Sequence, residues 1–274
     1  MKDKPDLGII RLTPILASLL FGVFCAFLIS ASSMETYEIT PFSEGVGSVG
    51  NALYFVILVG LGASILYLLL KKRNHRLIKL IVGFALTMAV FLLSIVYLSA
   101  AFSIFVAPHM EILILSLSIF ITAMADLIIF RTRSELCNVM ILCLGGGLGS
   151  FLGFTVPTLS AFLILIFLAV YDAFAVYHGP VGKIAHSGLE QLRGLSFSFK
   201  DIQMGLGDLT FYSMLSGHML LYFGFLPCLA SLIGILAGCL LAFKMLEKRG
   251  MFPGLPFPIF LGLTAGFLVS LFGF

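Results

Sequence analysis

The stretch QMGLGDLTFYSML, Gln203–Leu215, carries an aspartate out of a loop and into an apolar run. Asp208 stands seven residues after Asp201, where the side chains turn hydrophobic and begin to read as a membrane helix. A carboxylate there needs a reason, because an ionisable group near the centre of a bilayer is expensive and normally faces protein or water.

Composition decides whether lipid is the solvent. Hydrophobic residues make up 60% of the 274 and charged residues 11%, whereas about 25% of a soluble domain is charged. The mean hydropathy of +1.15 agrees. Apolar runs near the ~20 residues that cross a ~30 Å hydrocarbon core alternate with short connections that hold nearly all the charge. The spacing predicts nine spans, at Leu12–Ser32, Val49–Leu70, Leu80–Phe102, Met110–Phe130, Cys137–Thr155, Pro157–Tyr177, Gln203–Tyr222, Leu226–Leu246 and Pro253–Phe272. Merging the fifth and sixth would leave eight, but Pro157 breaks the run after Thr155-Val156 and suits a first helical position.

Charge tests the count. With nine crossings all 16 Lys and Arg fall on one side, while the opposite connections carry Glu35, Glu38, Glu44 and Glu111 and no basic residue. The positive-inside rule then puts the N-terminus in the cytoplasm and the C-terminus outside. The expected fold is an all-α polytopic membrane protein with nine transmembrane helices and no appended soluble domain, its first span a retained anchor. Cys25, Cys137, Cys143, Cys228 and Cys239 form no C-x-x-C pair and read as packing residues. The net charge of +3 suits loops facing an anionic leaflet and does not imply nucleic acid.

Three aspartates fall within spans. Asp126 can reach the interface or pair with Arg131. Asp172, in LAVYDAFAVYHGP, precedes His178 by six residues, about 9 Å of helix, and Asp208 lies about 10 Å from Asp201 if helix fills that interval. The two carboxylates share a level, and one short loop joins their helices. Two apposed acids in a low-dielectric site share a proton, which is what aspartic proteolysis requires: one acid activates water while the other polarises the scissile carbonyl. The same pair could instead bond helices together or relay protons in a transporter.

The flanks add information. Gly205-Leu206-Gly207 clears side chains from the approach to Asp208. FPGLPFP opens the ninth span with Pro253, Gly254, Pro256 and Pro258, and prolines there free backbone groups and favour an extended edge for a substrate strand. The alternation in LSFSFK, Leu195–Lys200, suits a short strand beside it. Gly145, Gly149 and Gly153 read as tight helix packing, and His218 as a satisfied interfacial histidine. No H-E-x-x-H or Gly-x-Ser-Gly is present.

Tyr171-Asp172, Gly205–Asp208 with its continuation LTFYSML, and Pro253–Pro256 together resemble the three signatures of the presenilin and signal peptide peptidase family, the GxGD intramembrane aspartyl proteases. The resemblance is close over the last three spans. It implies a presenilin-like fold, with residues 1–156 as scaffold and 157–274 as the catalytic helices of a single unit. It implies Asp172 and Asp208 as the catalytic pair, and Tyr171, Gly205, Leu206, Gly207, Pro253, Gly254, Leu255 and Pro256 as substrate-binding, with no metal or cofactor. Expected partners are the bilayer and single-span membrane proteins or signal peptides as substrates; a homo-oligomer is compatible with it. Length and the lack of extra domains resemble microbial, archaeal members, so the expected location is an archaeal cell membrane. Gly254 departs from the family's usual Ala. The rival reading is a proton- or cation-coupled transporter or leak channel built on the same aspartates.

Overall fold

The computed structural model describes residues 7–32, 34, 39–72, 75–104, 110–131, 135–178, 196–199, 202–249 and 252–272. Nine helices lie among them: α1 Leu7–Ala31, α2 Gly47–Lys71, α3 His75–Ile104, α4 Glu111–Arg131, α5 Glu135–Thr155, α6 Thr158–His178, α7 Leu206–Phe223, α8 Phe225–Arg249 and α9 Pro256–Leu271. Seven of them, all but α7 and α9, are long and apolar enough to cross a membrane. Val156-Pro157 divides α5 from α6, so the run through Pro157 is two helices. Most of the connection between α6 and α7, including Asp201, lies outside the described residues.

At the candidate site two helices start three residues later than expected. Ile202–Gly205 forms a strand, β2, paired antiparallel with β1 Ser196–Phe199 in the register Ser196 to Gly205 and Phe199 to Ile202. The expected seventh span therefore loses Gln203–Gly205 to the hairpin, and α7 begins at Leu206. Helix does not fill the interval from Asp201 to Asp208, so the depth argument for Asp208 gives way to a different geometry: extended chain, then one turn of helix. Likewise α9 begins at Pro256 rather than Pro253, since a proline at the first helical position has no N–H to leave unpaired.

Small residues set the distance between the central helices. A Cβ on Gly149 of α5 would overlap the Thr210 carbonyl of α7, and one on Gly153 would stand 2.8 Å from the Met214 oxygen. Backbone thus lies on backbone, and α7 is seated along α5 as the glycine spacing predicts. Gly238 of α8 meets Pro258 of α9 in the same way. Ser18 donates to the Leu142 carbonyl at 2.8 Å and Ser150 to that of Gly22 at 2.5 Å, tying α1 to α5. Leu165, Leu168, Leu209, Tyr212, Leu215 and Ile235 fill the core between α6, α7 and α8.

Hydrogen bonds gather at one end of the bundle. Ile39 donates its N–H to the Thr155 carbonyl, and Asn51 donates to Phe42 and to Ser160. Leu159, in the first turn of α6, donates to Glu44. His218 is fully buried here, and both ring nitrogens have partners, 2.7 Å from the Gly153 carbonyl and 3.2 Å from Thr158 Oγ1. At the opposite end Arg11 pairs with Glu247. Asp126 takes its partner from α3: Thr87 donates to it at 2.8 Å, and it forms no ion pair with Arg131.

Candidate active site

Asp172 sits in α6, six residues before the helix ends at His178. Asp208 sits in the first turn of α7. Gly205 caps that helix in an extended conformation, φ −72° and ψ 145°, because β2 delivers the chain to it straight. The Asp208 carboxylate folds back over this cap, its Oδ2 being 3.9 Å from where a Gly205 Cβ would stand. A carboxylate in the first turn also meets the positive end of the helix dipole.

The third element is the link between α8 and α9. Leu255 donates its N–H to Asp172 Oδ2 at 3.0 Å. A Cβ on Gly254 would stand 3.0 Å from Asp208 Oδ2. The Gly254-Leu255 peptide therefore lies against both carboxylates, and the two acids are within electrostatic reach of one another. Pro253 and Leu255 are buried, Gly254 and Pro256 half-buried. Leu255 is not extended: its φ of −74° and ψ of −39° are helical, because it already caps α9. Its N–H is also taken, so the segment is not the open strand edge expected from its prolines.

The remaining expected residues are brought near the pair with different exposures. Tyr171 turns toward α2, where its hydroxyl lies 3.3 Å from the position of a Gly60 Cβ. Leu206 is buried, Gly205 half-buried and Gly207 exposed.

Three residues join the site that motif reading did not single out. Tyr212, one turn after Asp208, is 1% exposed and donates its hydroxyl to the Gly254 carbonyl at 2.8 Å. Cys239 of α8 lies beside that hydroxyl. Met204 of β2, with Phe243 and Phe252, helps line a cavity of about 90 Å³ that opens onto Asp208, Tyr212 and Gly254. Such a space holds several waters where polar groups line it. The signal for Tyr212 was the helical step of four from Asp208 together with the rule that a buried phenol finds a partner. Nothing in the sequence pointed to Cys239 or Met204.

A family model described as signal-peptide peptidase, presenilin aspartyl protease matches residues 16–185. Presenilin-B of Dictyostelium discoideum is 32% identical over 129 residues, which is 42% of this chain and 27% of that protein. The matched stretch is thus about a quarter of that relative's length. Two solved structures of a presenilin family intramembrane aspartate protease, in different space groups, superpose on the chain. Their TM-scores are 0.69 and 0.66 at 18% and 22% identity, covering 97% and 99% of this chain and 99% of each of those. At that identity the likeness is one of fold.

Proposed function

The chain belongs to the signal-peptide peptidase and presenilin aspartyl protease family, and from that premise we propose that it is an intramembrane-cleaving aspartic endopeptidase whose catalytic pair is Asp172 and Asp208. The observation that carries the reading is the apposition of both carboxylates about one peptide, Asp172 bonded to the Leu255 N–H and Asp208 against Gly254. With one proton between them, the ionised acid takes a proton from water as its oxygen attacks the scissile carbon. The protonated acid gives its proton to the carbonyl oxygen; on collapse of the gem-diol the C–N bond breaks, the amine leaves with the proton the first acid had taken, and one hydroxyl returns a proton to the second acid, restoring the singly protonated pair. The cavity beside Asp208 supplies a place for that water.

A membrane helix hides its peptide bonds in its own hydrogen bonds, so a substrate must unwind before water can attack. Its freed N–H and C=O groups then need partners. Among the described residues the hairpin has two strands, so each offers an outer edge, and β2 leads directly to Asp208. Strand addition to the hairpin, with Pro253–Pro256 and Gly205–Gly207 flanking the opened segment, fits substrates that cross the bilayer once, whether membrane proteins or signal peptides. The basic connections face the cytoplasm in this reading, and no cofactor takes part.

The test is incubation of the purified protein with a panel of single-span substrates, comparing wild type with Asp172→Asn and Asp208→Asn. Both variants are expected to fold and to lose cleavage, with products identified by mass spectrometry. Normal cleavage by either variant removes that aspartate from the pair. Ion flux in liposomes without peptide products would replace proteolysis by the transport reading.

A further inference from the structure

Tyr212, Gly254, Leu255 and Asp172 form one line of hydrogen bonds. The Tyr212 hydroxyl donates to the Gly254 carbonyl at 2.8 Å. The N–H of that same peptide unit, on Leu255, donates to Asp172 Oδ2 at 3.0 Å. A single amide therefore bridges the helix of one aspartate to the carboxylate of the other. Tyr212 belongs to α7, one turn from Asp208, and it is among the largest fully buried side chains of the protein.

We infer that Tyr212 is a positioning residue for the catalytic pair, acting on Asp172 through the Gly254-Leu255 amide. The inference rests on the protease reading above. Its physical basis is twofold. Donation to an amide oxygen polarises the amide and strengthens what its N–H gives, so the contact at Asp172 depends on the hydroxyl two bonds away. The same donation fixes the plane of the amide. Gly254 has no side chain to hold it, and without the hydroxyl the peptide can rotate and carry its N–H off the carboxylate. A phenol buried for packing alone would also take an acceptor, so the two roles are separated by kinetics and the pH profile.

Tyr212→Phe keeps the ring and removes only the donor. In the full chain, kcat on a single-span substrate is expected to fall about tenfold, the size of one lost hydrogen bond of ordinary strength, with KM changed less than about twofold. One limb of the pH–rate profile should move as well, because the lost contact bears on a titrating acid. Leu255→Pro provides the second arm. Its φ of −74° already suits proline, and the change deletes the N–H at the other end of the amide. It should lower kcat at least as far.

Melting of each variant in detergent is measured alongside. A wild-type protein that cleaves no substrate overturns the protease reading and the inference with it. Where wild type cleaves and Asp208→Asn does not, wild-type kinetics for Tyr212→Phe overturn the inference alone. So does a loss that follows only the folded fraction, with the pH profile unmoved. If Tyr212→Phe does not fold, Leu255→Pro decides, and wild-type kcat in that variant overturns the inference.

Discussion

At the scale of single residues, Gly254 is the departure from the family pattern that the geometry interprets. A Cβ there would stand 3.0 Å from Asp208 Oδ2 and 3.3 Å from its Cγ, tighter than ordinary packing. Those atoms end a side chain that can rotate, so Gly254→Ala should fold and displace the carboxylate by a few tenths of an ångström. Its kcat/KM is expected to change by a few-fold, while Gly254→Val, with branches that cannot clear the carboxylate, should lose about a hundredfold or more. Comparable activity of Val and Gly at this position would refute the contact. If Asp172 and Asp208 act as proposed, with one proton between them, the rate should follow a bell in pH, one limb lost when the shared proton leaves and the other when a second proton arrives. A rate that climbs steadily into strong alkali would count against it. Asp172, Asp208 and the Pro253–Pro256 segment were legible because each breaks a rule for membrane helices, by charge or by proline. Tyr212 breaks none, and only its helical step of four from Asp208 marked it.

At the scale of elements, the placement of α7 depends on α5 more than on its own sequence. Its N-terminal half carries Asp208 and Tyr212, and its backbone lies on the glycines of α5, where a Cβ at Gly149 would overlap the Thr210 carbonyl. Gly149→Val must push the helices apart, at a cost of about 1–3 kcal/mol or more. The expected result is a lower melting temperature and a loss of cleavage larger than the loss of folded protein, because the shift separates Asp208 from Asp172. Gly62→Ala in α2 is the control: nothing stands within 4 Å of the added carbon, so its melting temperature should stay level or rise slightly. Equal behaviour of the two variants would mean that α5 does not set the position of α7. The glycine spacing was readable in advance; the strand before α7 was only half so. LSFSFK alternates as a strand should, but Ile202–Gly205 continues into an apolar helix, and hydropathy alone assigns such residues to the span. Pairing with β1 takes them out of it.

At the scale of the whole molecule, the two helices that fall short of a full crossing by length or hydropathy are the two that begin beside the aspartates. α7 has 18 residues and α9 has 16, about 27 and 24 Å of helix against a hydrocarbon core of ~30 Å. Each is preceded by chain outside a helix, β2 before α7 and Phe252–Gly254 before the Leu255 cap of α9. Irregular backbone at membrane depth is tolerated only where it is buried in protein or lines a wet cavity, and both segments meet at the cavity beside Asp208. The site is therefore where this fold gives up continuous helix, which explains why it could be sensed from hydropathy yet not bounded by it. Arg11 near the start of α1 pairs with Glu247 near the end of α8, while Thr155 and Glu44 engage Ile39 and Leu159 at the other end. Nine alternating crossings would satisfy both sets, and with that count the positive-inside rule would put the Arg11 end on the cytoplasmic side, which is the topology we propose. Reporters fused to the N-terminus and to the C-terminus should report opposite sides of the membrane, the first cytoplasmic. A cysteine introduced at Gly45 should be labelled from outside by a reagent that cannot cross the bilayer. Reporters on the same side would require an even number of crossings, and since α5 and α6 are separated at Pro157, the helix to fail would be α7 or α9.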